Sequence, residues 1–172
     1  MRLALVLLLA ASVAAVSTAA ATAAPARTTK LTPAEQKWVR PMVAVWNNMN
    51  TRLQQVQGQL VAKEALLVGT RANLTLNITL ANFVDCAAKL RKAGKPPARL
   101  APVNTSMTAA CGRFKAGSLL IARGIGEIRK ARQKAGVGHI QTGIGELKKG
   151  TTQLAKARRQ LTTISAQNPN AR

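Results

Sequence analysis

Glu127 and Glu146 each close a Gly-Ile-Gly-Glu tetrapeptide, at 124–127 and 143–146. Two carboxylates held at one level of a helical hairpin can divide acid and base roles when burial separates their pKa values. Lys130 and Lys149 follow them by three residues, the spacing of ordinary ion pairs on a helix surface. No activated Ser or Cys pattern accompanies them. The sequence therefore points away from an enzyme and offers no catalytic residue.

Metal and cofactor chemistry has equally few candidates. His139 is the single histidine, and a lone His with neither paired acids nor a free Cys makes no zinc site. Haem ligation needs a Met facing that His across a bundle. Met49 and Met107 lie at the far end from His139, Met49 about 24 Å away at helical rise. The sequence thus implies no metal and no cofactor. Cys86 and Cys111 are the only cysteines. In an exported chain such a pair favours one disulfide over free thiols.

Charge is the strongest chemical signal. The chain has 26 Lys and Arg against five acids, a formal net charge of +21, and +20 remains once Arg2 departs with a cleaved leader. Lys115, Arg123, Arg129 and Lys130 fall opposite the apolar seam of one helical segment, and Lys148, Lys149, Lys156 and Arg159 opposite that of the next. Solvated faces account for the position of these cations but not their sign, since acids would keep a bundle equally soluble. An excess of one sign steers anionic partners. Envelope polymers, anionic lipid head groups, polyanionic glycans and extracellular nucleic acid all qualify. No finger, basic-zipper or RNA-binding aromatic signature is present, so no specific nucleic-acid recognition is expected. Tyr is absent and Phe and Trp number two each, too few for aromatic platforms.

Residues 1–26 read as a secretory signal. Arg2 is the n-region, Leu3 to Ala10 the apolar h-region, and Ala21-Thr22-Ala23 or Ala24-Pro25-Ala26 a small-x-small cleavage site. The alternative is a retained anchor, since the uncharged stretch to Ala26 is long enough to span, although its second half is only weakly hydrophobic. The expected location is secreted or envelope-associated. Residues 27–168 form one domain and 169–172 a short tail. A mature chain of about 147 residues can bury roughly 70% of its unfolded surface.

The cations need helices to position them, and heptad spacing predicts four. The first, over 33–67, opens with a capping box of Thr32, Pro33 and Glu35. It carries Val39, Met42, Trp46, Met49, Leu53, Val56 and Leu60 on one face, with Pro41 as a kink or restart. The second covers 71–93. There a strand-like alternation of Leu74, Leu76, Ile78 and Leu80 competes with the longer helical register Leu76, Leu80, Phe83, Ala87, Leu90. The third covers 105–135 from an Asn104/Thr105 cap, and the fourth 139–165 after a Gly136-Val137-Gly138 turn. Small residues alternate with large along both seams: Met107, Ala110, Phe114, Gly117, Ile121, Gly124, Ile128, Ala131, Ala135 and Ile140, Gly143, Leu147, Gly150, Leu154, Ala157, Leu161, Ile164. Gly inside a helix costs about 1 kcal/mol relative to Ala. Repeated glycines at one seam position therefore imply close helix approach.

Antiparallel pairs have residue numbers with a constant sum. Leu90 with Met107, Phe83 with Phe114 and Leu76 with Ile121 sum to 197, as do Cys86 and Cys111. The cysteines fall at one level of an αα-hairpin. Their link would stabilise by about 3 kcal/mol on the chain-entropy model. Ile128 with Leu147, Ile121 with Leu154 and Phe114 with Leu161 sum to 275, which also places Glu127 near Glu146. The expected fold is all-α, an antiparallel up-down four-helix bundle with Gly/Ala seams and one disulfide.

The expected function is non-enzymatic association of a cationic bundle with anionic polymers or membrane surfaces. A carrier of a small apolar ligand, in a pocket between the first two helices where Trp38, Trp46 and Phe83 gather, is the alternative. A structural protein pairing its seams as a homo-oligomer is a third possibility. Asn73-Leu74-Thr75, Asn77-Ile78-Thr79 and Asn104-Thr105-Ser106 match the glycosylation acceptor pattern, which has meaning only in a eukaryotic secretory pathway.

Overall fold

The computed structural model describes residues 31–61 and 69–167, all helix and turn among the described residues. The secretory signal at 1–26, positions 62–67 of the first predicted helix and the 169–172 tail lie outside them. Helix α1 spans Pro33–Val61, α2 Arg71–Val84, α3 Cys86–Arg91, α4 Ala101–Arg129 and α5 Gln133–Ala166, with a 3₁₀ turn at Ala98–Leu100 before α4.

The capping box at α1 forms in full. The Thr32 amide donates to the Glu35 carboxylate at 2.8 Å, and the Glu35 amide donates to Thr32 Oγ1 at 3.3 Å. The helix continues through Pro41 to Val61. Trp38, Met42, Val45, Met49, Leu53 and Val56 point inward, while Val39, Trp46 and Leu60 flank them half-buried. Trp38 and Val45 thus belong to the core, beyond the seam expected from heptad spacing.

The second segment is helical, and the strand-like alternation loses. Leu76, Leu80 and Phe83 are buried while Leu74 and Ile78 face solvent. Three-to-four spacing can bury a continuous face that an isolated strand could not. The segment divides at Asp85 into α2 and α3, yet helical bonding runs across the break from the Asp85 amide to Ala81 O and from the Lys89 amide to Asp85 O. Thr70 caps α2 by accepting from the Asn73 amide. At the far end Gly94 takes φ +78°, and its carbonyl accepts the indole N–H of Trp38 at 3.1 Å.

Cys86 and Cys111 are joined, with Cα atoms 5.2 Å apart. Phe83 and Phe114 meet at a ring-centroid distance of 5.2 Å. Both pairs lie in the register expected for this hairpin. Helix α4 starts earlier than expected, at Ala101, because the 3₁₀ turn feeds directly into it and Pro102 suits a first helical turn. Asn104 and Thr105 lie inside the helix, with Thr105 Oγ1 bonding back to Ala101 O.

The last hairpin corrects the expected one. Helix α4 ends at Arg129 and α5 begins at Gln133, so Gly136-Val137-Gly138 is helical and no turn. Ala131 turns the chain at φ 60°. The Ala131 amide bonds Ile128 O and the Arg132 amide bonds Glu127 O, the two bonds of a Schellman cap with Ala where Gly is usual. The hinge lies six residues before the expected centre, and the whole register slips with it. A Cβ on Gly117 would lie 2.7 Å from Gly143 O, and one on Gly124 2.5 Å from Gly136 O. One on Gly150 would lie 2.5 Å from the Phe114 ring. Ile121 accordingly packs against Gly143 and Ile128 against Gly136, in place of the expected Leu154 and Leu147. Ala131 and Ala135, expected in the seam, are exposed.

Arg99 ties the two ends of the fold together. Its guanidinium lies 3.6 Å from the Glu35 carboxylate and donates to the carbonyls of Ile164 and Gln167. Those carbonyls belong to the C-terminal end of α5, where helical acceptors are otherwise unused.

Candidate anion-binding surface

Lys115, Arg123, Arg129, Lys130, Lys148, Lys149, Lys156 and Arg159 are all exposed, on α4, α5 and the turn that joins them. Because the seam of each helix is filled by Gly, Ala and large apolar residues, the positions opposite it must face water. The shifted hairpin leaves Lys115, Arg123, Lys148, Lys149, Lys156 and Arg159 opposite the seams of their own helices, whereas Arg129 turns toward α2 and Lys130 follows the end of α4.

Partners divide the cations. Glu146 Oε2 accepts from Arg113 at 2.8 Å and Oε1 from Lys149 at 2.7 Å. Lys149, first, and Arg113 hold the Glu146 carboxyl below the usual carboxylate range. Glu127 pairs with Arg132 across the turn, and the hydrogen bond from that guanidinium depresses its pKa. Arg129 donates to Asn73 Oδ1 at 3.0 Å, tying the end of α4 to the start of α2. Among the described residues, Lys115, Arg123, Lys130, Lys156 and Arg159 have no carboxylate within ion-pair distance.

Sequence reasoning misses three cations. It places Lys134 in the third helix, over 105–135, whereas Lys134 stands exposed on α5. Arg113 and Arg132 serve as the partners of the two glutamates. Placing the hinge at Ala131 finds all three, and only the basic run around Lys130 and Arg132 hints at it. Arg158, also exposed, leans over the Trp46 ring at 6.0 Å from its centroid, a cation–π contact between α5 and α1.

The two glutamates do not form a pair. In the observed register Glu127 is level with the first turn of α5, and Glu146 lies about 16 Å further along. Each is instead held by cations. Among the described residues no group of three or more His, Cys, Asp or Glu could hold a metal. His139 sits half-buried in the second turn of α5, while Met42, Met49 and Met107 are fully buried.

The aromatic residues considered for an apolar pocket are largely engaged elsewhere: Trp38 on Gly94, Phe83 on Phe114, and Trp46 under Arg158. A cleft of about 260 Å³ at the Pro-rich end is lined by Ala87, Leu90, Arg91, Pro96, Asn104 and Thr108, among others, none of them aromatic. Of the three glycosylation motifs, Asn77 is exposed, Asn104 half-buried and Asn73 buried under Arg129. No described helix is long and apolar enough to cross a membrane. Comparison of the chain with protein-family models, with curated proteins and with solved structures finds no match.

Proposed function

We propose that this is an exported, non-enzymatic helical protein that associates through its cationic faces with anionic polymers or head groups of the cell envelope and its surroundings. In this reading α2 and α3 act as one broken leg, so the five helices make an antiparallel four-helix bundle. The contacts of Phe83 with Phe114, Gly117 with Gly143, and Arg158 with Trp46 support that arrangement. Export is supported by the leader-like residues 1–26 and by a disulfide, which persists in oxidising compartments.

One observation carries the functional reading. Among the described residues the exposed cations of α4 and α5 outnumber the acids paired with them, and both glutamates there are already held by Arg113, Lys149 and Arg132. Among the described residues Lys115, Arg123, Lys130, Lys156 and Arg159 have no carboxylate within ion-pair distance, and anions from solution complete them. Retention of the purified protein on immobilised heparin and on vesicles of phosphatidylglycerol, at low and at physiological salt, tests this. Binding to either that weakens as salt rises is expected; no retention on either at low salt would refute it.

A further inference from the structure

We propose that the outward face of α5 is a track for a linear polyanion lying along the helix axis, an inference that rests on the polyanion-binding reading above and gives it a location. Lys134, Lys148, Lys149, Lys156 and Arg159 are all exposed. At 100° per residue they fall within about 100° of arc opposite the Gly136–Gly143–Gly150 seam, and from Lys134 to Arg159 they extend about 37 Å. That shape is long, narrow and of one sign. Glu146 is the one acid of α5, and it sits at the edge facing α4, bound to Arg113 and Lys149.

The ground between the cations is low. Gly138 and Gly145 lie on this face, and a Cβ at either would meet nothing within 4 Å. Gln141, Thr152 and Thr163 are the other residues there, all exposed. No large apolar side chain intervenes, so an extended chain can approach the helix while lysines reach it from either side.

Three alternative occupants fit less well. A second copy of this protein would bring a like-charged face against the track and be repelled. A membrane surface calls for apolar residues to insert beside the basic ones. Among the described residues the large exposed apolar side chains, Leu74, Ile78 and Leu119, lie on α2 and α4, not on α5. Single-stranded nucleic acid held by stacking needs exposed aromatic rings. Here Trp38, Phe83 and Phe114 are buried, and Trp46 is half-buried beneath Arg158. The face suits a flexible chain of closely spaced sulfate or phosphate groups, recognised by charge.

The test compares two charge-matched variants for binding to heparin. One carries Lys134→Gln, Lys148→Gln, Lys156→Gln and Arg159→Gln. The other carries Lys37→Gln, Arg40→Gln, Lys92→Gln and Lys95→Gln, which removes four exposed cations on α1 and beyond α3. Circular dichroism confirms that both fold. The α5 variant is expected to lose at least about 30-fold in affinity, and its log–log salt slope to flatten by about 3, somewhat under one for each cation removed. The control should lose less than about 3-fold. Heparin fragments much shorter than the roughly 37 Å track should bind more weakly than those that span it. Equal losses in the two variants would overturn the track while leaving general polyanion binding intact. Failure of the unaltered protein to bind heparin at low salt would remove the underlying reading as well. Tighter binding to phosphatidylglycerol vesicles than to heparin at equal salt would replace the linear chain with a membrane.

Discussion

The α4–α5 hairpin and the α1–α3 half of the molecule hold helices together by opposite means. Between α4 and α5 the side chains are removed, and Gly117 faces Gly143 and Gly124 faces Gly136 with backbone nearly touching backbone. No covalent link joins them. Around α2 and α3 the space is filled by large residues, Leu76, Leu80, Phe83 and Leu90, and the Cys86–Cys111 bridge fastens them to α4. Phe114 stands at the junction, with its ring against Phe83 on one side and against Gly150 on the other. The difference shows that a narrow hairpin depends on close shape matching, whereas the wider half depends on volume and a cross-link. It also bears on function: seams built from Gly and Ala leave Lys115, Arg123, Lys156 and Arg159 exposed on the outside of α4 and α5, while Arg113, Arg129 and Arg158 reach neighbouring helices.

The largest effect expected from breaking this contrast lies on the stapled side. Replacing both buried cysteines, Cys86→Ala with Cys111→Ala, should cost about 3 kcal/mol by urea denaturation, because a bridge between residues 25 apart restricts the unfolded chain. A cost under about 1 kcal/mol would mean that the Pro-rich loop is already ordered without the bridge.

On the narrow side the two glycines of one tetrapeptide separate the roles cleanly. A Cβ at Gly124 would press on the Gly136 carbonyl, whereas one at Gly126 meets nothing within 4 Å. Gly124→Ala should destabilise by about 1–3 kcal/mol through overpacking, and Gly126→Ala should stabilise by up to about 1 kcal/mol through helix propensity. The same sign for both substitutions would contradict the seam.

Ala131 offers an intermediate effect. Its φ of 60° costs a residue with a Cβ about 1 kcal/mol or more, so Ala131→Gly should raise stability by about 1 kcal/mol. No gain would place the turn elsewhere.

The smallest effect is one of pH. Lys149 and Arg113 depress the Glu146 pKa in the folded state, so the carboxylate's contribution is complete above the unfolded value near about 4.3. It is lost as pH falls through the lower folded value. Glu146→Gln should therefore be less stable than the parent at about pH 6, and the two urea midpoints should converge by about pH 2–3. A constant difference across that range would rule out the ion pairs as its source.

The sequence carried the stapled half well and the narrow half only in part. Lys95-Pro96-Pro97 marks a loop no helix can cross, and the cysteines and the Phe83–Phe114 pair independently agree on one register. Along α4 and α5 the composition of the seam was legible, but the turn was not. Glycine is the usual signal for a helix stop. Here Gly136 and Gly138 continue α5, and the stop is an alanine. Nothing in a single sequence distinguishes a glycine that ends a helix from one that admits a neighbour. The outward cations are insensitive to that difference, because a slip along the axis leaves each on its own helix's outer face. The Glu127–Glu146 pairing fails because it depends on level.

The central claim is that the unpaired positive charge of this fold exists to hold polyanions. Its most direct test is the affinity of the unaltered protein for heparin as salt is raised from about 50 to about 200 mM. Charge-driven binding through several cations predicts a log–log slope of about −3 or steeper. A slope near zero, or no binding at the lowest salt, would contradict it.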